Sequence, residues 1–334
     1  MSNLKKILIS KKVCKSVWFM RQAGRYLPEF RKIRSQNEDF INLCLNSELS
    51  SKITLQPIER FNLDSAIIFS DILMVPYALN QKVEFLKNHG PKLENFNLNN
   101  FLKNNDIDFI EKLKPVYKAI EITRKKLDKE KSLISFIGAP WTLLVYMFGA
   151  KLSKKEIDLK IINDKKNEIV LILEKLINYL CLHIDNQIKA GADVVQIFDS
   201  WAGLIPQEDL NSFCYVPNFK IVEFCKKKGI PVICFPRGIG ENYTDFNNLV
   251  KPDGINIDYN IDPEWAKQNL KGTVIQGGLD PKILLSSDQE IYNNVRKYLD
   301  AFKGLPYVFH LGQGILPETN PDKVNKLIKF YRDY

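Results

Sequence analysis

Histidine is scarce in this chain: His89, His183 and His310 are the only three in 334 residues. That excludes most imidazole-based zinc chemistry, which needs several His or Cys ligands at short spacing. The six cysteines (Cys14, Cys44, Cys181, Cys214, Cys225, Cys234) contain no CxxC pair. Cys181 and His183 are two apart, on different faces of a helix, so no metal site is expected. Stretches such as Val232-Ile233-Cys234-Phe235 are apolar throughout, and there a reduced, buried thiol is the plain expectation. Equally missing are a GxGxxG after a strand, a GxxxxGK[ST] loop and a GxSxG elbow, which removes dinucleotide, P-loop and serine-hydrolase readings. No run of 18 apolar residues exists, so no membrane helix is expected. Met1 to Lys12 has no long apolar core and no small-residue cleavage site; a cytoplasmic protein without secretion signal is expected.

Arginine is the second scarcity, with 9 Arg against 39 Lys. Yet Arg21, Arg25, Arg31 and Arg34 fall within 14 residues. A guanidinium is a planar, permanently charged fork that binds carboxylate or phosphate through two parallel hydrogen bonds, which an ammonium cannot do. The cluster therefore points to an anionic ligand of defined geometry. The net charge of +9 also favours an acidic partner. The lysines are spread along the chain, with no basic tail and no stripe interleaved with aromatics, so nucleic acid is not expected as a partner.

A hydrophobic fraction of 45% and a charged fraction of 26% are ordinary for a globular protein. Eight β-rich runs can be marked: Val17–Met20, Ala66–Phe69, Leu133–Ile137, Val194–Phe198, Pro231–Phe235, Gly254–Ile257, Thr273–Gln276 and Tyr307–Leu311. Their apolar content does not alternate, as in strands covered on both faces. Helical stretches follow most of them, among them Glu48–Arg60, Asn167–Ala190, Asp288–Phe302 and Pro321–Tyr331. Eight strand–helix repeats without linker or internal sequence repeat predict a single-domain (β/α)8 TIM barrel over residues 1–334, with its chemistry at the carboxyl ends of the strands. An open doubly wound sheet is the alternative. Residues 88–108, rich in Asn and Lys, read as an exposed excursion.

Polar residues just after the strands are the candidates. Arg21 and Arg25 follow the first run, with Gly24 allowing a tight turn between them. Asp71, between apolar runs, is either a cap for a backbone donor or an anion facing the cavity. Tyr146 follows Gly138-Ala139-Pro140-Trp141-Thr142 and is either a core phenol or an inward donor. Either Asp199 or Ser200 caps the turn after the fourth run. The last run ends in Gly312-Gln313-Gly314.

Taken together, Trp18-Phe19-Met20 running into Arg21-Gln22-Ala23-Gly24-Arg25-Tyr26-Leu27-Pro28-Glu29, then Gly138–Thr142, Phe69–Leu73 and Phe198–Gly203 resemble the uroporphyrinogen decarboxylase family over nearly the full length. The resemblance implies a homodimeric (β/α)8 barrel needing no cofactor. It implies conversion of the four acetate side chains of uroporphyrinogen III to methyl groups, with release of coproporphyrinogen III and four CO2, in porphyrin and haem biosynthesis. It assigns substrate carboxylates to Arg21, Arg25 and Arg34, and further substrate contacts to Gln22, Ala23, Gly24, Tyr146 and Ser200. Asp71 matches the residue that coordinates the pyrrole N–H groups and stabilises the protonated intermediate. Two departures stand out. Ser16 replaces a usual Pro, and Gln313 replaces the His of the family's Gly-His-Gly loop, keeping a binding position without acid–base capacity. Whether His310 compensates is left open. Two other readings are a porphyrinogen-binding relative that has lost catalysis, motivated by Gln313, and a barrel methyltransferase, which needs a zinc-binding His/Cys set absent here.

Overall fold

Runs rich in β-branched residues become strands where both faces can be covered, and that condition is met almost everywhere the sequence suggests. The computed structural model describes residues 1–86, 90–153 and 156–334. In it the strands are β1 (Ser65–Ile67), β2 (Val83–Leu86), β3 (Gly90–Leu93), β4 (Ser132–Gly138), β5 (Val194–Asp199), β6 (Val232–Pro236), β7 (Gly254–Ile257), β8 (Val274–Gly277) and β9 (Tyr307–Val308). Seven of them form one parallel sheet in the order β1-β4-β5-β6-β7-β8-β9. Helices between successive strands make the crossovers that parallel pairing requires. The result is an α/β fold around a curled parallel sheet.

The first expected strand is corrected. Val17–Met20 contributes a single parallel bridge, Val17 with Phe309, while the Val17 carbonyl accepts from the Asp64 N–H at 3.0 Å. One segment thus meets both edges of the sheet, the β9 side and the β1 side. The chain then turns at once, with the Gln22 N–H on the Phe19 carbonyl at 3.1 Å, so no longer ladder can form. The expected exposed excursion is exposed or half-buried throughout its described residues except Phe101, and it carries local structure of its own. Asn88 and His89 lie outside the described residues, Gly90–Leu93 pairs antiparallel with Val83–Leu86, and Leu98–Leu102 is helical.

Side-chain alternation along the strands separates two apolar clusters. Ile134, Val194, Ile233, Phe235, Val274 and Val308 face inward. Their neighbours Leu133, Val195, Cys234 and Ile275 face the helices. The inner cluster is plugged by a helix the sequence reading did not mark, Asn3–Ser10, which buries Leu4, Ile7 and Leu8 there and is capped by Ser2. Above it lies a fully buried amide layer. Trp18 Nε1 donates to Gln276 Oε1 at 2.9 Å, and Gln276 Nε2 donates to Asn256 at 2.7 Å and Gln196 at 3.2 Å. No helix among the described residues is long and apolar enough to cross a membrane.

The loops after β5 and β6 touch backbone to backbone: a Cβ on Gly203 would lie 2.4 Å from the Gly238 carbonyl oxygen. Gly203→Ala is therefore expected to lower stability by about 1–3 kcal/mol through overpacking, read as a shift of the urea unfolding midpoint at unchanged slope.

Candidate active site

The turn after Val17 is where the site begins. Arg21 has φ 58°, the left-handed region that a non-glycine residue occupies only when its surroundings hold it there. Several bonds do so. The Met20 N–H donates to His310 Nε2 at 2.9 Å, and the Met20 carbonyl accepts from Ile315 at 3.0 Å. Gln22 accepts from the Phe19 N–H and donates to the Ser65 carbonyl, both at 3.1 Å, while Tyr26 donates to the Gln22 carbonyl at 2.8 Å. Two glycines make room. A Cβ on Gly24 would lie 2.9 Å from the Arg21 carbonyl oxygen, and one on Gly314 would lie 2.6 Å from Arg21 Cδ.

This geometry sorts the motif. Gln22 is fully buried with both amide ends bonded to backbone, so its side chain braces the Arg21 turn. Ala23 and Gly24 are half-buried. Arg31 donates to the Arg25 and Tyr26 carbonyls at 2.9 and 3.0 Å and is structural. Arg34 donates to the Asn37 carbonyl and stacks 5.6 Å from the Phe40 ring centre. Its field and that of Asp71 both reach the Cys44 thiol.

Arg21 and Arg25 are different. Both are exposed, and among the described residues neither guanidinium has a hydrogen bond or an ion pair. Three other arginines, by contrast, are paired with carboxylates: Arg60 with Glu29 at 2.8 Å, Arg124 with Asp193 at 2.6 Å and Arg332 with Asp64 at 2.7 Å. Desolvation, then the neighbouring Arg25, pull the Arg21 pKa down from its ordinary value, against the opposing fields of Asp71 and Tyr146. Arg21 is thus exposed and still partly desolvated, among charges of both signs.

Asp71 lies within that field, half-buried, with Oδ1 accepting from the Leu73 N–H at 2.9 Å. Burial pushes its pKa up to about 6, outweighing the Leu73 N–H and the Arg21 charge. One oxygen thus holds a backbone donor, and the carboxylate feels the charge of Arg21. Tyr146 feels Asp71, Arg21 and Arg237, and its phenol is pushed up, chiefly by burial, so it stays a neutral donor. The Lys151 ammonium lies 5.8 Å from the Tyr146 ring centre and 6.0 Å from that of Trp201.

Among the described residues neither Asp199 nor Ser200 caps the turn, where the Trp201 N–H donates instead to Thr142 Oγ1 at 3.3 Å, and strand alternation separates the two. Asp199 turns toward the helices, where it accepts from Thr142 Oγ1 at 2.7 Å and Asn218 Nδ2 at 3.3 Å. Ser200 continues the inward series of Val194, Gln196 and Phe198 and is half-buried without a side-chain partner. Gln313 is likewise half-buried and unbonded, between the buried Gly312 and Gly314. His310 cannot stand in for the missing imidazole. It is fully buried, its Nδ1 lies 2.5 Å from the Leu311 carbonyl, its Nε2 accepts from Met20, and burial drives its pKa down to about 3. Among the described residues no group of three His, Cys, Asp or Glu is placed to hold a metal ion. The sequence reading missed Arg237 and Asp258. Arg237 was visible only as one arginine in a strand-end Pro-Arg-Gly, and the Asp258 carboxylate accepts from the Gly238 N–H at 2.8 Å and the Asn260 N–H at 3.0 Å.

A family model described as "Uroporphyrinogen decarboxylase (URO-D)" matches residues 11–334. Proteins named uroporphyrinogen decarboxylase from Orientia tsutsugamushi (strain Ikeda) and Rickettsia bellii (strain RML369-C) are each 40% identical, over 95% of this chain and 94% of their own. One from Jannaschia sp. (strain CCS1) is 38% identical with the same coverage. Among solved structures, a methyltransferase from Methanosarcina mazei superposes with a TM-score of 0.79 over 99% of this chain and 97% of its own. At 15% identity that likeness shows the fold alone.

Because the folded-state pKa of Asp71 lies above the ordinary value near 4, the contribution of this one group to stability is fully present below about pH 4 and is lost as pH rises through about 6. Asp71→Asn escapes this. It is expected to unfold at a higher temperature than wild type at about pH 7.5, with the gap closing toward about pH 4, as calorimetry at both pH values would reveal.

Proposed function

The chain belongs to the uroporphyrinogen decarboxylase family, and we propose that it removes the carboxyl groups of the four acetate side chains of uroporphyrinogen III, yielding coproporphyrinogen III and four CO2. One observation carries this reading. A half-buried carboxylate with a pKa near 6 lies within the field of Arg21, whose guanidinium has no partner among the described residues, and we read the two as lining one hollow. Such a site suits a ligand that is anionic at its rim and able to become cationic at its centre.

The chemistry follows. Breaking the bond to a carboxylate leaves an electron pair, and the pyrrole ring itself can accept it. A proton added to the ring carbon beside the acetate-bearing carbon places positive charge on the ring nitrogen. The carboxyl C–C bond then breaks, its electrons neutralise that charge, and CO2 departs. A proton on the exocyclic carbon makes the methyl group, and loss of the ring proton restores the pyrrole. Ionised Asp71 accepts hydrogen bonds from the N–H groups and favours the cation in a low-dielectric setting. Arg21 and Arg25 hold side-chain carboxylates, while Tyr146, Ser200 and Gln313 add neutral hydrogen bonds. The same reading makes Val17–Met20 the eighth position of a closed (β/α)8 barrel, between β9 and β1, and brings with it a homodimer acting in the cytoplasm.

Gln313 supports one other reading, a relative that binds porphyrinogen without turning it over. Anaerobic incubation with uroporphyrinogen III, with products resolved by remaining carboxylate count, separates the two. The decarboxylase yields tetracarboxylate; binding without such product overturns it.

Three outcomes are expected in that assay. Asp71→Asn loses turnover by about a hundredfold or more while staying folded. Arg21→Lys, although it keeps the charge, raises KM about tenfold because one fork geometry is lost. In wild type, kcat/KM rises with pH through about 6 as Asp71 ionises, then levels; a flat profile between about pH 5 and 7 would remove Asp71 as the required anion.

A further inference from the structure

We propose that Arg237 is a substrate-binding residue of this site, a third guanidinium fork that takes a substrate carboxylate which Arg21 and Arg25 do not reach. The inference rests on the decarboxylase reading and extends it to a residue outside the recognisable motifs.

Its position is built with care. Arg237 follows β6, the middle strand of the seven, whereas Arg21 follows the segment that meets both sheet edges. Every backbone polar group at the turn is committed. The Arg237 N–H donates to the Asp199 and Phe235 carbonyls at 3.1 and 3.0 Å, and its carbonyl accepts from the Gly203 N–H at 2.9 Å. The next N–H, of Gly238, is held by the Asp258 carboxylate at 2.8 Å, with Gly238 at φ +83°. Asp199 pairs in register with Pro236, so Ser200 and Arg237 leave neighbouring strands side by side.

The side chain itself is treated differently from its backbone. It is half-buried, and among the described residues its guanidinium has neither hydrogen bond nor ion pair. It lies within the electrostatic reach of Arg21 and Tyr146, raising the cost of charge on the first and favouring ionisation of the second. A fixed backbone that leaves an unpaired fork within the field of Arg21, itself unpaired among the described residues, is a poor structural device, because the like charges repel. It is a good device for a ligand with eight carboxylates. Its charge is matched when that ligand binds.

The experiment uses three variants of the full chain: Arg237→Gln, Arg237→Lys and, as a charge control on an outer helix, Arg296→Gln, whose guanidinium lies over the Phe330 ring. Binding is read by fluorescence titration with uroporphyrin, the oxidised and unreactive analogue. KM and kcat come from uroporphyrinogen III, and the thermal midpoint reports the fold. Arg237→Gln is expected to raise both the uroporphyrin Kd and KM about ten- to a hundredfold, the loss of one charged hydrogen-bonding group, with a smaller change in kcat. Its thermal midpoint should equal or exceed that of wild type, because repulsion with Arg21 is relieved. Arg237→Lys should recover part of the binding, and Arg296→Gln should match wild type within a few-fold. Unchanged Kd and KM in Arg237→Gln would overturn the proposal. So would a lower thermal midpoint in both Arg237 variants, which marks a structural residue. Should wild type bind uroporphyrin but release no CO2, the decarboxylase reading fails while the Kd comparison still decides the role of Arg237.

Discussion

Asp71 and Arg21 lie close enough to shift each other's proton affinity, yet no hydrogen bond or ion pair joins them. Left free, a carboxylate and a guanidinium facing each other in a partly dry hollow would close into a bidentate pair and neutralise the site. Backbone prevents it. One Asp71 oxygen is anchored on the Leu73 N–H, and Arg21 is committed to a left-handed turn by bonds to Met20 and around Gln22. The groups are thus held ready for a ligand that brings both N–H donors and carboxylates, with little reorganisation left to do when it arrives. Arg21 is strained because the molecule needs its direction, not only its charge.

Much of the scaffold was legible because burial on both faces writes a continuous apolar run. Leu133–Ile137, Val194–Phe198 and Gly254–Ile257 fall on or within β4, β5 and β7 for that reason. Val17–Met20 has the same composition but contributes one bridge. Its ladder is cut short by the Arg21 turn, and composition does not encode where a chain must bend. Asn3–Ser10 escaped notice since its apolar residues, Leu4, Ile7 and Leu8, are too few to show a period amid the lysines. At the candidate site, residue type singled out Arg21, Arg25 and Asp71 as candidates, but motif membership does not say which way a side chain points. Gln22 faces the core and Arg34 faces Asn37 and Phe40, and only coordinates separate them from their neighbours. The choice between Asp199 and Ser200 needed the strand's alternation fixed by Val194 and Phe198.

Gln313 changes what can move protons here. His310 is two residues past the inward-facing Val308, fixed with Nε2 accepting and driven to a pKa near 3, so it has no proton to give near neutrality. His183 is equally buried, near a pKa of about 3, and tied to Tyr117 and Gln187 on the helix layer. Imidazole is therefore absent from the hollow among the described residues. Near neutral pH the remaining groups around it are permanent cations, a neutral phenol, a hydroxyl, an amide and one titrating carboxylate. Only Asp71 changes charge between about pH 5 and 7.

Two buried carboxylates share that window, Asp71 in the hollow and Asp199 behind it, each pushed up to about 6 by burial. For both, ionisation is harder in the folded chain than in the unfolded one, so each withdraws its own contribution to stability as pH rises through 6. On the proposed mechanism the same step at Asp71 creates the anion that the chemistry uses. The proposed activity and the Asp71 contribution to stability therefore run in opposite directions across one pH interval, as expected when a site holds a charge its own scaffold would rather not have. Asp199 shows how such a charge is tolerated when no ligand will meet it. Three protein groups, on Thr142, Asn218 and Cys214, turn toward its oxygens, whereas Asp71 receives one N–H and keeps the rest of its capacity open. The difference in satisfaction between two carboxylates of similar proton affinity marks one as structural and the other as waiting for a partner.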